Sequence, residues 1–310
     1  MGKATREAYG NALAKIGKEN SNIIVLDADL SKSTKTDTFK KECPERFFNV
    51  GIAEQNLISV GAGLAAAGKI PFVSSFAMFA TGRAFEQIRN AVCYPKLNVK
   101  VCATHAGITV GEDGATHQSL EDIACMRVLP NMTVIVPADE KETESVIQWA
   151  ADYNGPVYVR LGRAGVDDVT AEGYTFTPGK SNQLKDGSDV TIMACGALVG
   201  PAVEAAKQLE GEQISARVIN MASIKPIDAN AIIKAAEETG AIVTAEEHNI
   251  LGGLGSAVSE VVVAHKPVPM EFVGVQDTFG ESGTPKELMA KYGLTAEDIV
   301  KAVKKVVTRK

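Results

Sequence analysis

Short runs of Val and Ile alternate along the chain with longer segments in which apolar positions recur at helical spacing. An apolar run without polar alternation marks a strand buried on both faces. Its repeated alternation with helical segments predicts βα units on a parallel sheet. In the first half the predicted strands are Asn22–Asp29, Ile70–Phe76, Asn98–Ala106, Met132–Asp139 and Pro156–Arg163. The predicted helices between them are Thr5–Lys18, Glu54–Gly68, Thr81–Cys93, Ser119–Val128 and Lys141–Asp152. After Arg163 both periods fade into turn residues such as Gly173, Pro178 and Gly179, so 166–186 reads as a linker. A second α/β run follows, with strands Val190–Cys195, Ser215–Asn220, Ala241–Ala245 and Met270–Val275. Its helices are Pro201–Leu209, Ala229–Thr239, Gly253–Ala264 and Ala296–Val307. The expected class is α/β, with two parallel or mixed-sheet domains at 1–165 and 187–310.

The length of 310 residues agrees with two cores. Hydrophobic residues at 45% and charged residues at 23% are globular values, which exclude a largely disordered chain. A net charge of −6 lacks the basic footprint of phosphate-backbone binding, so nucleic acid is not an expected partner. A small phosphorylated substrate stays open, because a few placed Arg, Ser or His side chains suffice to bind one. The five cysteines are odd in number and hold no C-x-x-C pair, which argues for free thiols in a reducing compartment. No apolar stretch approaches ~20 residues, and the basic residues near the N-terminus are not followed by an apolar region. The expectation is a cytoplasmic chain with no membrane partner.

Several motifs admit a plain reading. Gly61-Ala62-Gly63 resembles a dinucleotide fingerprint but lies inside a helical pattern begun at Glu54, where small residues serve close packing. Gly252-Gly253-Leu254-Gly255 enters a helix and could offer free amides to an anion, although an ordinary loop explains it as well. The loop from His105 to His117 is richer. It follows a strand's carboxyl end, bends at Gly107, Gly111 and Gly114, and carries Glu112 and Asp113 between its two histidines. Two histidines and two acids in one Gly-bent loop favour a site over a polar connection. No third His or Cys stands at ligand spacing, so a metal is not expected there. Glu54 opens a helix, where the macrodipole accounts for a carboxylate. Its neighbours Gly51, Ile52 and Ala53 are uncharged and would also suit a carboxyl that shares a proton. Phe76 and Phe79 fit either a core or the wall of a ring pocket, and burial statistics alone favour core.

Three of these segments together resemble transketolase. Gly51-Ile52-Ala53-Glu54-Gln55-Asn56, Phe76-Ala77-Met78-Phe79 and Gly111-Glu112-Asp113-Gly114-Ala115-Thr116-His117-Gln118 stand in that family's order and spacing. The resemblance covers essentially the whole chain. It implies a pyrimidine-binding domain followed by a transketolase C-terminal domain, and the C-terminal section of a split enzyme. The family's Gly-Asp-Gly…Asn signature, which holds the metal and diphosphate of thiamine diphosphate, is not found here. The Mg²⁺ and diphosphate ligands would then lie on a separate N-terminal transketolase subunit in an α2β2 assembly, with no metal ligand in this chain.

Carried over by position, Glu54 matches the glutamate that hydrogen-bonds N1′ of the aminopyrimidine and favours the imino tautomer that deprotonates the thiazolium carbon. Phe76 and Phe79 match the pocket around that ring, which reverses the preference for core. Gly82 stands where eukaryotic relatives carry a third aromatic. Asp29 matches a carboxylate near the cofactor. His105, Asp113 and His117 match contacts to the sugar's oxygens, with His105 and His117 joining Glu54 as catalytic residues. Arg6, Ser33 and Arg163 match ligands of the substrate phosphate, with Arg160 an alternative to Arg163. The implied reaction moves a two-carbon ketol unit from a ketose phosphate to an aldose phosphate, in pentose phosphate metabolism. A 1-deoxyxylulose-5-phosphate synthase shares the glutamate and most of the loop but does not usually carry histidine at position 105. A transketolase for an unusual sugar phosphate stays open. A scaffold subunit without activity would have no need of Glu54, His105, Asp113 and His117 together.

Overall fold

The structure, a computed structural model, describes residues 2–310. Its strands, in chain order, are β1 (Ile23–Asp27), β2 (Phe47–Asn49), β3 (Ile70–Ser74), β4 (Lys100–Ala103), β5 (Thr133–Ile135) and β6 (Val157–Arg160). They continue with β7 (Asn182–Lys185), β8 (Val190–Ala194), β9 (Ala216–Asn220), β10 (Ser223–Lys225), β11 (Ile242–Asn249) and β12 (Met270–Val275). One sheet has seven strands in the order β10-β5-β6-β4-β3-β1-β2, the other five in the order β12-β11-β8-β9-β7. All pairings are parallel except β10 with β5 and β7 with β9. The chain is thus an α/β protein with two mixed sheets, and its central strands are buried on both faces as their apolar runs require.

Helix starts follow local chemistry. Asp139 accepts from the Glu142 amide to open the helix Glu140–Asp152. Thr295 and Asp298 form a reciprocal capping box for Ala296–Val307, whose buried face is Ile299, Val300, Val303 and Val306. A second box, Thr284 with Glu287 around Pro285, opens the helix Pro285–Lys291, which periodicity did not predict although its T-P-x-E signature is plain. The short helices Ser31–Thr34 and Asp37–Glu42 and the edge strand β2 were also not predicted, because pieces so short carry no full period. The predicted helix Thr81–Cys93 is instead broken into wide π turns at Phe79–Arg83 and Ile88–Cys93. Such turns recur at functional sites, and Arg83 is the last residue of the first one. The helix predicted from Ser119 begins at Asp122, since Ser119 still bridges to Ala106 in extended pairing.

Two features tie the halves together. The end of the expected linker is strand β7, and β10 leaves the second half to form the edge of the first sheet. Lys225 on β10 donates to Arg127 O at 2.8 Å, which anchors that crossing. One apolar cluster runs from Leu57 and Val101 through Met132 to Met193, Ile219 and Leu254. At about 1.5–3 kcal/mol for each fully buried aliphatic side chain, this shared cluster makes separate folding of two cores unfavourable. The reason is geometric: the helices that cover one face of each sheet, such as Glu54–Ala66 in the first half and Leu254–His265 in the second, share one apolar cluster.

Candidate active site

Parallel strands present their carboxyl ends at one edge, and the residues just past those ends converge there. Phe76 follows β3, His105 follows β4, Asp29 follows β1 and Arg163 follows β6. Phe76 and Phe79 lie with ring centroids 6.0 Å apart and planes 14° from parallel. His105 stacks on Phe76 at 3.8 Å, and His117 meets Phe79 edge-on at 5.2 Å and Phe76 at 6.3 Å. His105 reaches this position only through a left-handed backbone, φ 57°.

Arg6, in the first turn of the helix Thr5–Glu19, donates to Ser33 O at 2.9 Å and lies 3.2 Å from His105 Nε2. An arginine only donates, so His105 Nε2 accepts and the ring proton resides on Nδ1, 2.9 Å from Thr104 Oγ1. Burial, followed by the positive charges of Arg6 and Arg163, pushes the His105 pKa down to about 3. His105 is therefore a neutral imidazole. Arg6 is itself partly desolvated, and its Nε is buried without a partner. A buried donor left unpaired beside a second arginine is a natural seat for an anion. Ser33 contributes its carbonyl here. Its short helix, Ser31–Thr34, is fixed by buried Asp27, which accepts from Leu30 N at 2.6 Å, Thr34 Oγ1 at 2.7 Å and Thr36 Oγ1 at 2.9 Å.

Arg163 donates to Val110 O and lies 3.4 Å from Glu112 and 3.6 Å from Asp113. Arg160 is not its equivalent. It is buried, pairs with Asp122 at 2.8 Å and donates to Glu247 O at 2.9 Å, so it faces the second sheet. Glu54 is buried at the start of its helix, and its carboxylate accepts from half-exposed Arg83 at 2.7 Å. The Arg83 guanidinium lies 4.9 Å over the Phe79 ring.

A transketolase pyrimidine-binding domain model matches residues 1–167, and a transketolase C-terminal domain model matches residues 179–299. The chain belongs to the transketolase family. A solved structure titled "Split gene transketolase, inactive beta4 tetramer" shares 60% identity and superposes with a TM-score of 0.94, each chain covering 100% of the other. A Methanocaldococcus jannaschii protein named "Putative transketolase C-terminal section" is 52% identical over 304 residues, 97% of this chain and 95% of that one. A Clostridium sp. protein, "6-deoxy-6-sulfo-D-fructose transketolase subunit SqwH", is 43% identical over 305 residues, 98% of this chain and 95% of its own. The chain is a transketolase subunit.

Among the residues that the transketolase resemblance singled out, the structure gathers Phe76, Phe79, His105 and His117 into one ring cluster. Arg6 and Ser33 adjoin it through His105, and Arg163 with Asp113 forms a neighbouring pair. Glu54 joins through Arg83 and Phe79. Asp29 stands apart, its carboxylate accepting from Asn49 Nδ2 at 2.8 Å. Arg83 was not singled out from the sequence, and no local pattern marks a partner 29 positions from Glu54. The Gly252–Gly255 loop does receive an anion, but the chain's own. Buried Glu246 accepts from Leu254 N at 2.7 Å and Gly255 N at 2.8 Å, and a Cβ on Gly253 would come within 2.0 Å of it.

Proposed function

We propose that this transketolase subunit supplies the pyrimidine half of a thiamine diphosphate site and the sugar-phosphate seat beside it. In this reading it moves a two-carbon ketol unit from a ketose phosphate to an aldose phosphate. The observation that supports the reading best is the ring cluster Phe76, Phe79, His105 and His117 set between a buried carboxylate and Arg6, whose buried Nε has no partner. The residues fit an aminopyrimidine by donor chemistry. Arg83 is a planar N–H donor that lies on an aromatic face and donates to buried Glu54, which is what a protonated pyrimidine ring would do there.

Bound thiamine diphosphate supplies the electron sink for the two-carbon fragment. Glu54 then holds a proton at N1′ of the pyrimidine in place of the Arg83 contact. Phe76 and Phe79 wall the ring and keep water from it. A substrate phosphate draws Arg6 and Arg163 toward itself, which releases His105 Nε2 to meet a sugar oxygen. His117 and Asp113, on the same loop, orient the neighbouring hydroxyls. Asp29, held by Asn49 apart from the ring cluster, keeps its place near the cofactor in this reading through the resemblance alone.

The diphosphate and Mg²⁺ ligands belong, in this reading, to a separate N-terminal subunit, the two chains forming an α2β2 assembly in pentose phosphate metabolism in the cytoplasm. The similar chain described as an inactive β4 tetramer supports that division. No helix of the described residues is long and apolar enough to cross a membrane. The domain division proposed is 1–165, 166–186 and 187–310, with β10 reaching back from the last to the first.

The test mixes the chain with the N-terminal subunit, thiamine diphosphate and magnesium. It measures transfer from xylulose 5-phosphate to ribose 5-phosphate, with each chain alone as control. Activity only in the mixture is expected, and turnover by the isolated chain would refute the division of labour. A 6-deoxy-6-sulfo sugar belongs in the donor panel, because an arginine pair suits sulfonate as well as phosphate and one relative is named for that substrate.

A further inference from the structure

The second domain carries none of the residues assigned above, yet it grips the loop that carries two of them. Glu247 on β11 is buried, and its Oε1 accepts from Thr109 N at 2.7 Å. Gly107 sits so close that an added Cβ would lie 2.3 Å from the Glu247 carboxylate, and its φ of +85° is strained for any other residue. Behind Glu247, Arg160 Nη2 donates to its backbone carbonyl at 2.9 Å and fixes β11 against β6. Further along the loop, the Gln118 amide donates to Ile108 O at 3.2 Å, Gly111 O at 3.3 Å and Glu281 O at 2.9 Å. Gly114 faces Ser282 in the same way, with 2.6 Å left for a Cβ. Both ends of the segment bearing Asp113 and His117 are thus seated on the second domain.

We propose that Glu247 is a positioning residue for carbon transfer: by holding Thr109 N it sets the loop that presents Asp113 and His117 to the sugar. The inference rests on the reading that those two side chains touch substrate. A carboxylate suits the task because the loop's amides turn away from regular pairing at Gly107. An acceptor anchored on a rigid central strand fixes them more closely than a solvent-exposed group could.

The test uses the reconstituted two-subunit assembly with xylulose 5-phosphate and ribose 5-phosphate, and compares Glu247→Leu, Glu247→Gln, His117→Ala and the Glu247→Leu/His117→Ala double variant. Glu247→Leu is expected to lower kcat/KM by ~10–100-fold, as loss of an outer support typically does, with thiamine diphosphate affinity within about threefold of wild type. Glu247→Gln keeps an acceptor oxygen and is expected to recover most of the loss. The double variant should lose clearly less than the product of the two single losses, because both changes act through one loop, while the part that Glu247→Leu exerts through Asp113 remains. Wild-type kinetics in Glu247→Leu, a Gln variant as poor as Leu, or penalties that multiply in the double variant would each overturn the proposal. If Glu247→Leu does not assemble, Glu247→Ala takes its place under the same expectations. An impaired His117→Ala beside an unaffected Glu247→Leu removes this inference alone, whereas a fully active His117→Ala removes the reading on which it rests.

Discussion

Replacing His105 by Asn tests whether the site holds a neutral imidazole. His105 is 3% exposed, and burial together with Arg6 and Arg163 lowers its pKa to about 3. An unfolded histidine titrates near ~6.5, so the unfolded chain takes up a proton that the folded chain refuses. The folded-state pKa is the lower one. The contribution is therefore present above pH ~6.5 and is lost as pH falls from there toward 3. Between pH 8 and pH 5 this amounts to about 2 kcal/mol, and any folded-state pKa at or below about 4 gives the same figure. Asn offers polar atoms to Arg6 and Thr104 but does not titrate. The assay is urea denaturation of the full chain and of the His105→Asn variant at pH 8, 6 and 5, at one fixed protein concentration. The other titrating groups cancel in the difference. Wild type should lose about 2 kcal/mol more than the variant between pH 8 and pH 5. Parallel losses would show that His105 charges freely in the folded chain, and the neutral, Arg6-bound imidazole would have to be abandoned.

Three further outcomes follow from the same geometry. Glu54→Gln in the reconstituted assembly should cut two-carbon transfer by ~10²–10⁴ with unfolding of the subunit little changed, since one proton-sharing contact is lost; full activity would remove Glu54 from the chemistry. Arg163→Met should raise KM for a phosphorylated ketose by roughly 10–100-fold, the worth of one charge-assisted hydrogen bond, and leave a donor without phosphate nearly unaffected. Equal losses for both donors would assign Arg163 to holding the loop at Val110 instead. Glu246→Ala strands two buried amides, Leu254 N and Gly255 N, and should cost about 2–5 kcal/mol in urea denaturation. A loss under about 1 kcal/mol would mean that the loop finds other acceptors.

The amino-acid sequence by itself determined the class and most strands, because an apolar run such as Ile23–Asp27 has one stable use in a chain of this kind, a strand covered on both faces. It also placed the candidate residues Phe76 and His105 just past strand ends, because their order with the Gly111–Gln118 loop is a local pattern. Short pieces escaped it, as Ser31–Thr34 did, for want of a full helical period. What only the tertiary structure decided are the pairings between distant positions. Arg83 lies on Glu54, Glu246 fills the glycine loop, β10 crosses to the first sheet, and Glu247 holds an amide 138 positions away. Periodicity reports neighbours within a turn or a pleat. A buried carboxylate finds its partner through the packing of whole elements, and that packing is settled only when the two sheets close on their shared core.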